Sequence, residues 1–176
     1  MRSVRSSCSL LLVVAACGTD AAPPAFPAAY AASYVEVRTC RSSSDHDLHK
    51  IRVLADPAAL APYRDRNAEF PTGAIVLKEE YDFADGNCTG QVIEWTVMEK
   101  VAASSNLGWS WQRVDVDRDV VAEDNTRCIN CHTQCGVAPD GYLGTCAAVW
   151  SFVIRGRTST PVPASVASAA AAIETW

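Results

Sequence analysis

One short segment of the sequence combines residue types that bind metals and form covalent bonds. Cys128 and Cys131 are separated by two residues, and His132 follows directly. This C-x-x-C-H pattern is typical of c-type haem attachment, because two thiols one helical turn apart reach two vinyl groups on one edge of the porphyrin. The adjacent imidazole then binds the iron from one side of the ring. The motif predicts one covalent haem, with His132 as the iron's proximal ligand.

Two other kinds of site also use closely spaced cysteines. A thioredoxin-like redox pair needs a βαβ setting, and the sequence around Cys128 lacks one. A zinc site that recruits Cys135 would crowd three thiolates and an imidazole into a single short segment, which is poor geometry for tetrahedral coordination. The haem interpretation is therefore favoured over both alternatives.

The N-terminus has the pattern of an export signal. A basic start precedes an apolar stretch over residues 10–16, which is too short to span a bilayer. The segment Val14-Ala15-Ala16-Cys17 resembles the lipobox of bacterial lipoproteins, in which the cysteine carries the lipid and becomes the mature N-terminus. An ordinary cleaved signal peptide is the alternative. We expect removal of residues 1–16 and a lipid anchor at Cys17, on the periplasmic side of a bacterial membrane.

Four cysteines lie outside the signal segment, the lipobox and the C-x-x-C-H motif. They are Cys40, Cys88, Cys135 and Cys146. An even number of cysteines in an exported chain indicates two disulfides, for which three connectivities exist. Cys135 and Cys146 flank a short glycine-containing loop, so we predict that they pair and that Cys40 pairs with Cys88. Each bond would stabilise a small domain by roughly 2–4 kcal/mol.

Composition limits the domain organisation and the partners. The chain has 176 residues and a formal net charge of −5. This length fits one domain with a single core, and an acidic chain with scattered Lys and Arg is not expected to bind nucleic acid. Residues 17–33 are rich in Ala and Pro and predict a tether, residues 34–154 the folded domain, and residues 155–176 a low-complexity tail.

The elements that must position the motif are mainly strands. Residues 73–83 and 91–101 alternate apolar and polar side chains, with a turn near Gly86, and should pair as an antiparallel hairpin. Residues 108–116 and 50–54 predict two further strands. Asp56-Pro57 then supplies the N-cap and first-turn proline of a short helix through Tyr63. The expected fold is mainly β, of the α+β class: an antiparallel meander with short helices.

Several short motifs share an order and spacing that resemble a known family. They are His49-x-x-Arg52-Val53, Phe70-Pro71-x-Gly73-Ala74-x-Val76-x-Lys78-Glu79, Trp95-Thr96-Val97-Met98-x-Lys100, Gly108-Trp109-x-Trp111, and Cys128-x-x-Cys131-His132 with Asp140-x-Tyr142 behind it. Over about residues 34–146 the chain resembles the cytochrome P-460 family, which includes the cytochromes c′-beta. The resemblance implies a β-rich fold, often a homodimer, with a five-coordinate haem whose open face receives a small molecule. Family members either oxidise hydroxylamine, using a lysine linked to the porphyrin edge, or bind nitric oxide without that link.

The resemblance also points to residues around the open face. Lys78 is the candidate for the linking lysine, and a solvated strand residue is the alternative. Glu80 on the same strand face, or Glu94 across the hairpin, is the candidate proton acceptor that N–H or O–H oxidation requires, although both carboxylates also suit a surface. We expect Val76, Lys78 and Val92 to cover the open side of the ring.

Three functions remain open on the sequence. The first is oxidation of hydroxylamine or nitric oxide, with electrons passed to an acceptor cytochrome, and the second is gas binding without turnover. The third is electron transfer by a six-coordinate haem with Met98 as second axial ligand, although a strand methionine more often packs. His46 and His49 are further ligand candidates. A histidine in a polar segment is more often exposed, and His49 suits a structural hydrogen bond.

Overall fold

A computed structural model describes residues 22–102 and 106–146. Within them, six strands form one antiparallel sheet whose strand order follows the chain, together with two short helices. The strands are β1 Val35–Ser42, β2 Lys50–Ala55, β3 Ile75–Tyr81, β4 Val92–Lys100, β5 Trp109–Val114 and β6 Val120–Glu123, and the helices are α1 Pro57–Asp65 and α2 Thr126–Cys135. The predicted mainly β meander of the α+β class is confirmed.

The hairpin and the first helix form where their local signals predict them. Strands β3 and β4 pair antiparallel, with Glu80 directly opposite Glu94. Helix α1 begins after Asp56, whose side chain accepts a hydrogen bond from the backbone N–H of Ala59 at 2.7 Å. The helix ends at Arg66, which adopts a left-handed backbone conformation.

Both faces of the sheet are covered, so β3 is buried along almost its whole length. One face packs against α1; its buried residues include Val53, Val76, Met98, Trp109 and Trp111. The other face holds a second apolar cluster that includes Leu54, Leu77, Val97 and Val114. Adjacent residues of one strand therefore belong to different apolar clusters, because successive side chains of a strand point to opposite faces of the sheet.

The segment before β1 covers the second face of the sheet. Phe26 and Tyr30 are 2% and 8% exposed, and both rings contact Trp95. The prediction of a tether through residue 33 is therefore wrong for this part of the segment. Burying an aromatic side chain contributes about 1.5–3 kcal/mol, which offsets the cost of ordering an Ala/Pro-rich chain.

The remaining boundary predictions concern residues outside the described part of the chain. These are the signal peptide over residues 1–16, Cys17, and the tail over residues 155–176. Across residues 22–102 and 106–146, no helix has the length and apolar character needed to cross a bilayer.

Candidate haem site

Helix α2 carries the C-x-x-C-H motif on the wall of a cavity. Asn125 caps the helix, because its side chain accepts a hydrogen bond from the backbone N–H of Arg127 at 2.8 Å. Helical spacing places the two motif cysteines about one turn apart. Cys128, Cys131 and His132 all line the cavity. The structure thus brings the three predicted haem-binding residues together.

The other cysteines of the described chain are already paired. Cys40 bonds to Cys88 and Cys135 bonds to Cys146, which confirms the predicted connectivity. Among the described residues, only Cys128 and Cys131 remain free. Cys135 is therefore not available as a zinc ligand, and the antiparallel sheet offers no βαβ setting for a thioredoxin-like pair.

His132 is oriented by the loop that follows α2. Its Nδ1 lies 2.7 Å from the carbonyl oxygen of Gly144. Because a carbonyl only accepts, Nδ1 carries the hydrogen and Nε2 keeps the lone pair that a metal needs. Gly144 has φ 94°, and a Cβ there would meet the Trp109 indole at 2.7 Å. Only glycine fits this position, so the loop backbone is held where its carbonyl fixes the His132 tautomer.

The charge state of His132 also suits a metal ligand. Burial, together with the nearby positive charge of Lys78, lowers the pKa of His132 to about 4. The imidazole is therefore neutral at pH 7, the form in which it binds metals. Its ring contacts that of Trp111 on β5, with centroids 6.0 Å apart.

The cavity is large enough for a cofactor. Its volume is about 640 Å³, within the range of roughly 300–1,000 Å³ that small-molecule and cofactor sites occupy. Trp111 also lines it. The cavity volume and the donor set of two free thiols and one imidazole fit a haem.

A polar cluster, here called the Lys78 cluster, comprises Lys78, Glu80, His46 and His49. Lys78 lines the cavity, and its Nζ contacts Nε2 of His46. The carboxylate of Glu80 accepts from Nδ1 of His46 at 3.0 Å and from Nδ1 of His49 at 2.8 Å. Lys78 is therefore a cavity residue, and the alternative of a solvated strand side chain is wrong.

Burial and contacts within the cluster shift the pKa values of Lys78 and Glu80. Burial lowers the pKa of Lys78 to about 8, although the negative charge of Glu80 opposes that shift. Burial alone would raise the pKa of Glu80, but the hydrogen bonds from His46 and His49 outweigh it and lower the value to about 2. Glu80 is consequently a carboxylate at neutral pH, and both of its oxygens accept hydrogen bonds.

The other candidates near the cavity have different outcomes. Glu94 lines the cavity but binds Arg113 through both oxygens, at 2.8 and 2.6 Å. Val76 and Met98 also line the cavity, whereas Val92 does not, so the prediction for Val92 is wrong. A register shift between β3 and β4 follows the Glu80–Glu94 pair, so that Val92 lies opposite Tyr81. Val92 is therefore on the other face of the sheet from Glu94.

His46 is the residue that sequence reasoning placed incorrectly. Its side chain is only 20% exposed, although it lies in a polar loop between β1 and β2. Arg127 of α2 bonds to this loop, through the Asp47 carboxylate and the Asp45 carbonyl, each at 3.1 Å. The loop thus contacts the haem-motif helix, and no local pattern in the sequence predicts a contact across about eighty residues.

Comparison with known protein families agrees with this geometry. An antiparallel sheet, a cofactor-sized cavity and a C-x-x-C-H helix on its wall define a haem-binding cytochrome. The family model for cytochrome P460 matches residues 27–138. The chain belongs to the cytochrome P460 family, so it is a cytochrome that binds haem and its iron. A comparison with curated proteins found no match.

Proposed function

We propose that this protein is an exported c-type cytochrome with one haem, attached through Cys128 and Cys131, ligated by His132 and open on its other face. The open face takes small nitrogen species such as hydroxylamine or nitric oxide. The observation that carries the proposal is the pair of free thiols next to an imidazole with an available Nε2, all on one cavity wall.

The residues of the cavity combine apolar surface with charged groups. The bound haem would supply an iron that takes a small ligand and exchanges electrons. Val76 and Met98 present the apolar surface, beside charged side chains such as Lys78 and Glu80. Lys78 and His46 of the Lys78 cluster also line the cavity and add groups that can exchange protons. Electrons from an oxidation would pass to an acceptor cytochrome.

A covalent link between Lys78 and the ring distinguishes an enzyme from a gas-binding cytochrome. If Lys78 is joined to the ring, we expect hydroxylamine oxidation; without the link, we expect nitric oxide binding alone. The Lys78→Ala protein should still bind nitric oxide in the ferrous state but lose hydroxylamine-dependent reduction of an artificial electron acceptor. Lys50→Ala, which removes a strand lysine that does not line the cavity, is the matched control and should keep both properties.

Other outcomes of that comparison favour other functions. A parent protein that binds nitric oxide but does not oxidise hydroxylamine supports the gas-binding cytochrome. Met98 also lines the cavity and is buried. If the parent binds no nitric oxide and only Met98→Ala opens the iron, the protein is an electron carrier with Met98 as second axial ligand, and the proposal is wrong.

We further propose that lipid at Cys17 anchors the protein to a bacterial membrane on the periplasmic side. In a host with lipoprotein processing, Cys17→Ser should move the protein from the membrane fraction to the soluble periplasmic fraction. Cys8→Ser, which changes a cysteine inside the signal segment, is the control and should leave membrane association intact. Membrane association of Cys17→Ser equal to that of the parent would place the anchor elsewhere.

A further inference from the structure

The Lys78 cluster contains a more suitable proton acceptor than either carboxylate predicted from the sequence. Glu80 is 3% exposed, and its Oε1 and Oε2 each accept from an imidazole. Thr96 adds a third hydrogen bond, from its hydroxyl to Oε1 at 3.2 Å. A carboxylate whose lone pairs are so occupied binds a further proton poorly. Glu94 is likewise occupied, by the two nitrogens of Arg113.

His46 has the opposite arrangement. Its Nδ1 faces the Glu80 carboxylate, which only accepts, so Nδ1 carries the hydrogen. Its Nε2 therefore has the lone pair, and this nitrogen contacts Nζ of Lys78, which lines the cavity. An imidazole held by a buried carboxylate on one nitrogen and presenting the other to the reacting group is the arrangement of a general base.

We propose that His46 is the proton acceptor of the cavity, reached through the Lys78 amine, and that Glu80 is the positioning residue that fixes its tautomer. This inference rests on the open iron site proposed above and on a Lys78 amine that is not joined to the ring. It concerns any ligand that enters as a weak acid and must lose a proton when it binds.

The proton transfer is balanced without an oxidant. Lys78 donates one proton to Nε2 of His46 and, as a free amine, takes the proton that the ligand releases. The bond between hydrogen and the ligand atom breaks, the ligand keeps the electron pair, and the new N–H bond forms at Nε2. His46 ends as an imidazolium, whose positive charge the Glu80 carboxylate stabilises.

His49 provides a contrast within the same cluster. It also bonds to Glu80 through Nδ1, but its side chain is 29% exposed and it does not line the cavity. His49 therefore shares the carboxylate contact of His46 without the contact to Lys78. It is the matched control for any effect that arises merely from disturbing Glu80.

Cyanide and carbon monoxide together test the proposal on the haem-loaded protein. At neutral pH cyanide is present mainly as hydrogen cyanide and must lose a proton to bind ferric iron, whereas carbon monoxide binds ferrous iron without proton transfer. His46→Gln should slow cyanide association by roughly 10²–10⁴-fold, the usual contribution of a positioned acid or base. Its carbon monoxide association should stay close to that of the parent.

The accompanying variants distinguish proton acceptance from positioning. Glu80→Gln should also slow cyanide binding, and Glu80→Asp, which keeps a carboxylate, should restore most of the rate. His49→Gln should bind cyanide much as the parent does. Stopped-flow absorbance of the Soret band measures all these rates.

Two results would overturn the inference. The first is a parent-like cyanide rate in His46→Gln, which together with slowing in Glu80→Gln would make Glu80 the acceptor. The second is equal slowing of cyanide and carbon monoxide in His46→Gln. In each case carbon monoxide still binds the parent, so the open iron site stands. A parent that binds neither ligand would instead refute the open iron site, and the role of His46 would fall with it.

Discussion

Replacing both motif cysteines, in the variant Cys128→Ala, Cys131→Ala, is expected to abolish covalent haem attachment. These are the only free thiols among the described residues, and they lie on the cavity wall with His132. His132 would remain, so some haem should still bind through the iron, but acid-acetone should extract all of it. The measurement is intact-protein mass spectrometry of protein made with a c-type maturation system.

The control for this variant removes a different pair of cysteines. Cys40 and Cys88 close a disulfide across 48 residues, away from the haem motif. The variant Cys40→Ala, Cys88→Ala should keep covalent haem while losing roughly 2–4 kcal/mol of stability. Covalent haem retained by the motif variant, or lost from the control, would show that attachment depends on other residues.

Replacing Glu79 by Ala is expected to cause a large loss of stability. Glu79 is 2% exposed on the face opposite the cavity and accepts hydrogen bonds from Tyr30 at 2.6 Å, Arg52 at 2.5 Å and Tyr81 at 2.7 Å. Removing it leaves a cation and two hydroxyls without their acceptor. Breaking a buried pair in this way costs about 3–5 kcal/mol, and we expect the lower end because Arg52 is one-third exposed and reaches water.

The measurement is urea unfolding of parent and variants, followed by tryptophan fluorescence. Glu36→Ala is the matched control, because Glu36 also lies near Arg52, at 3.8 Å, but is 40% exposed. An exposed pair contributes about 0–1 kcal/mol, so this control should unfold almost as the parent does. Equal losses in the two variants would show that Glu79 contributes no more than a surface carboxylate.

The effect of Glu79 should also depend on pH. Burial would raise the pKa of Glu79, but the hydrogen bonds from Arg52, Tyr30 and Tyr81 outweigh it and hold the pKa below its ordinary value of 4.5. A depressed carboxylate pKa contributes stability that is full above the unfolded pKa and is lost as pH falls through the folded one. The stability difference between parent and Glu79→Ala should therefore be constant above about pH 5.5 and shrink below about pH 4.5.

The sequence predicted those parts of the structure that local signals determine. The hairpin follows from alternation, α1 from the Asp56 cap, and the haem motif from spacing alone. Strand β1 escaped prediction because its pairing with β2 is interrupted by two register shifts, which blur the alternation. Tyr30 escaped because its burial depends on Trp95, sixty-five residues further along the chain.

The candidate site likewise contains residues that the sequence pattern predicts and residues that only tertiary contacts position. Lys78 and Glu80 share a strand face by period two, so their proximity is readable from the sequence. The position of His46 is not, because the loop that carries it contacts Arg127, about eighty residues further along the chain, and Glu80 in the middle of the sheet. The polar composition of that loop predicts exposure, and only the tertiary contacts reverse it.

The mass of the unmodified parent tests haem attachment most directly. Protein matured with c-type machinery should keep, after acid-acetone extraction, the mass of the processed chain plus one haem, and proteolysis should locate that haem on the peptide that contains Cys128, Cys131 and His132. Haem found in the organic phase, with only apoprotein mass remaining, would contradict covalent attachment at this motif.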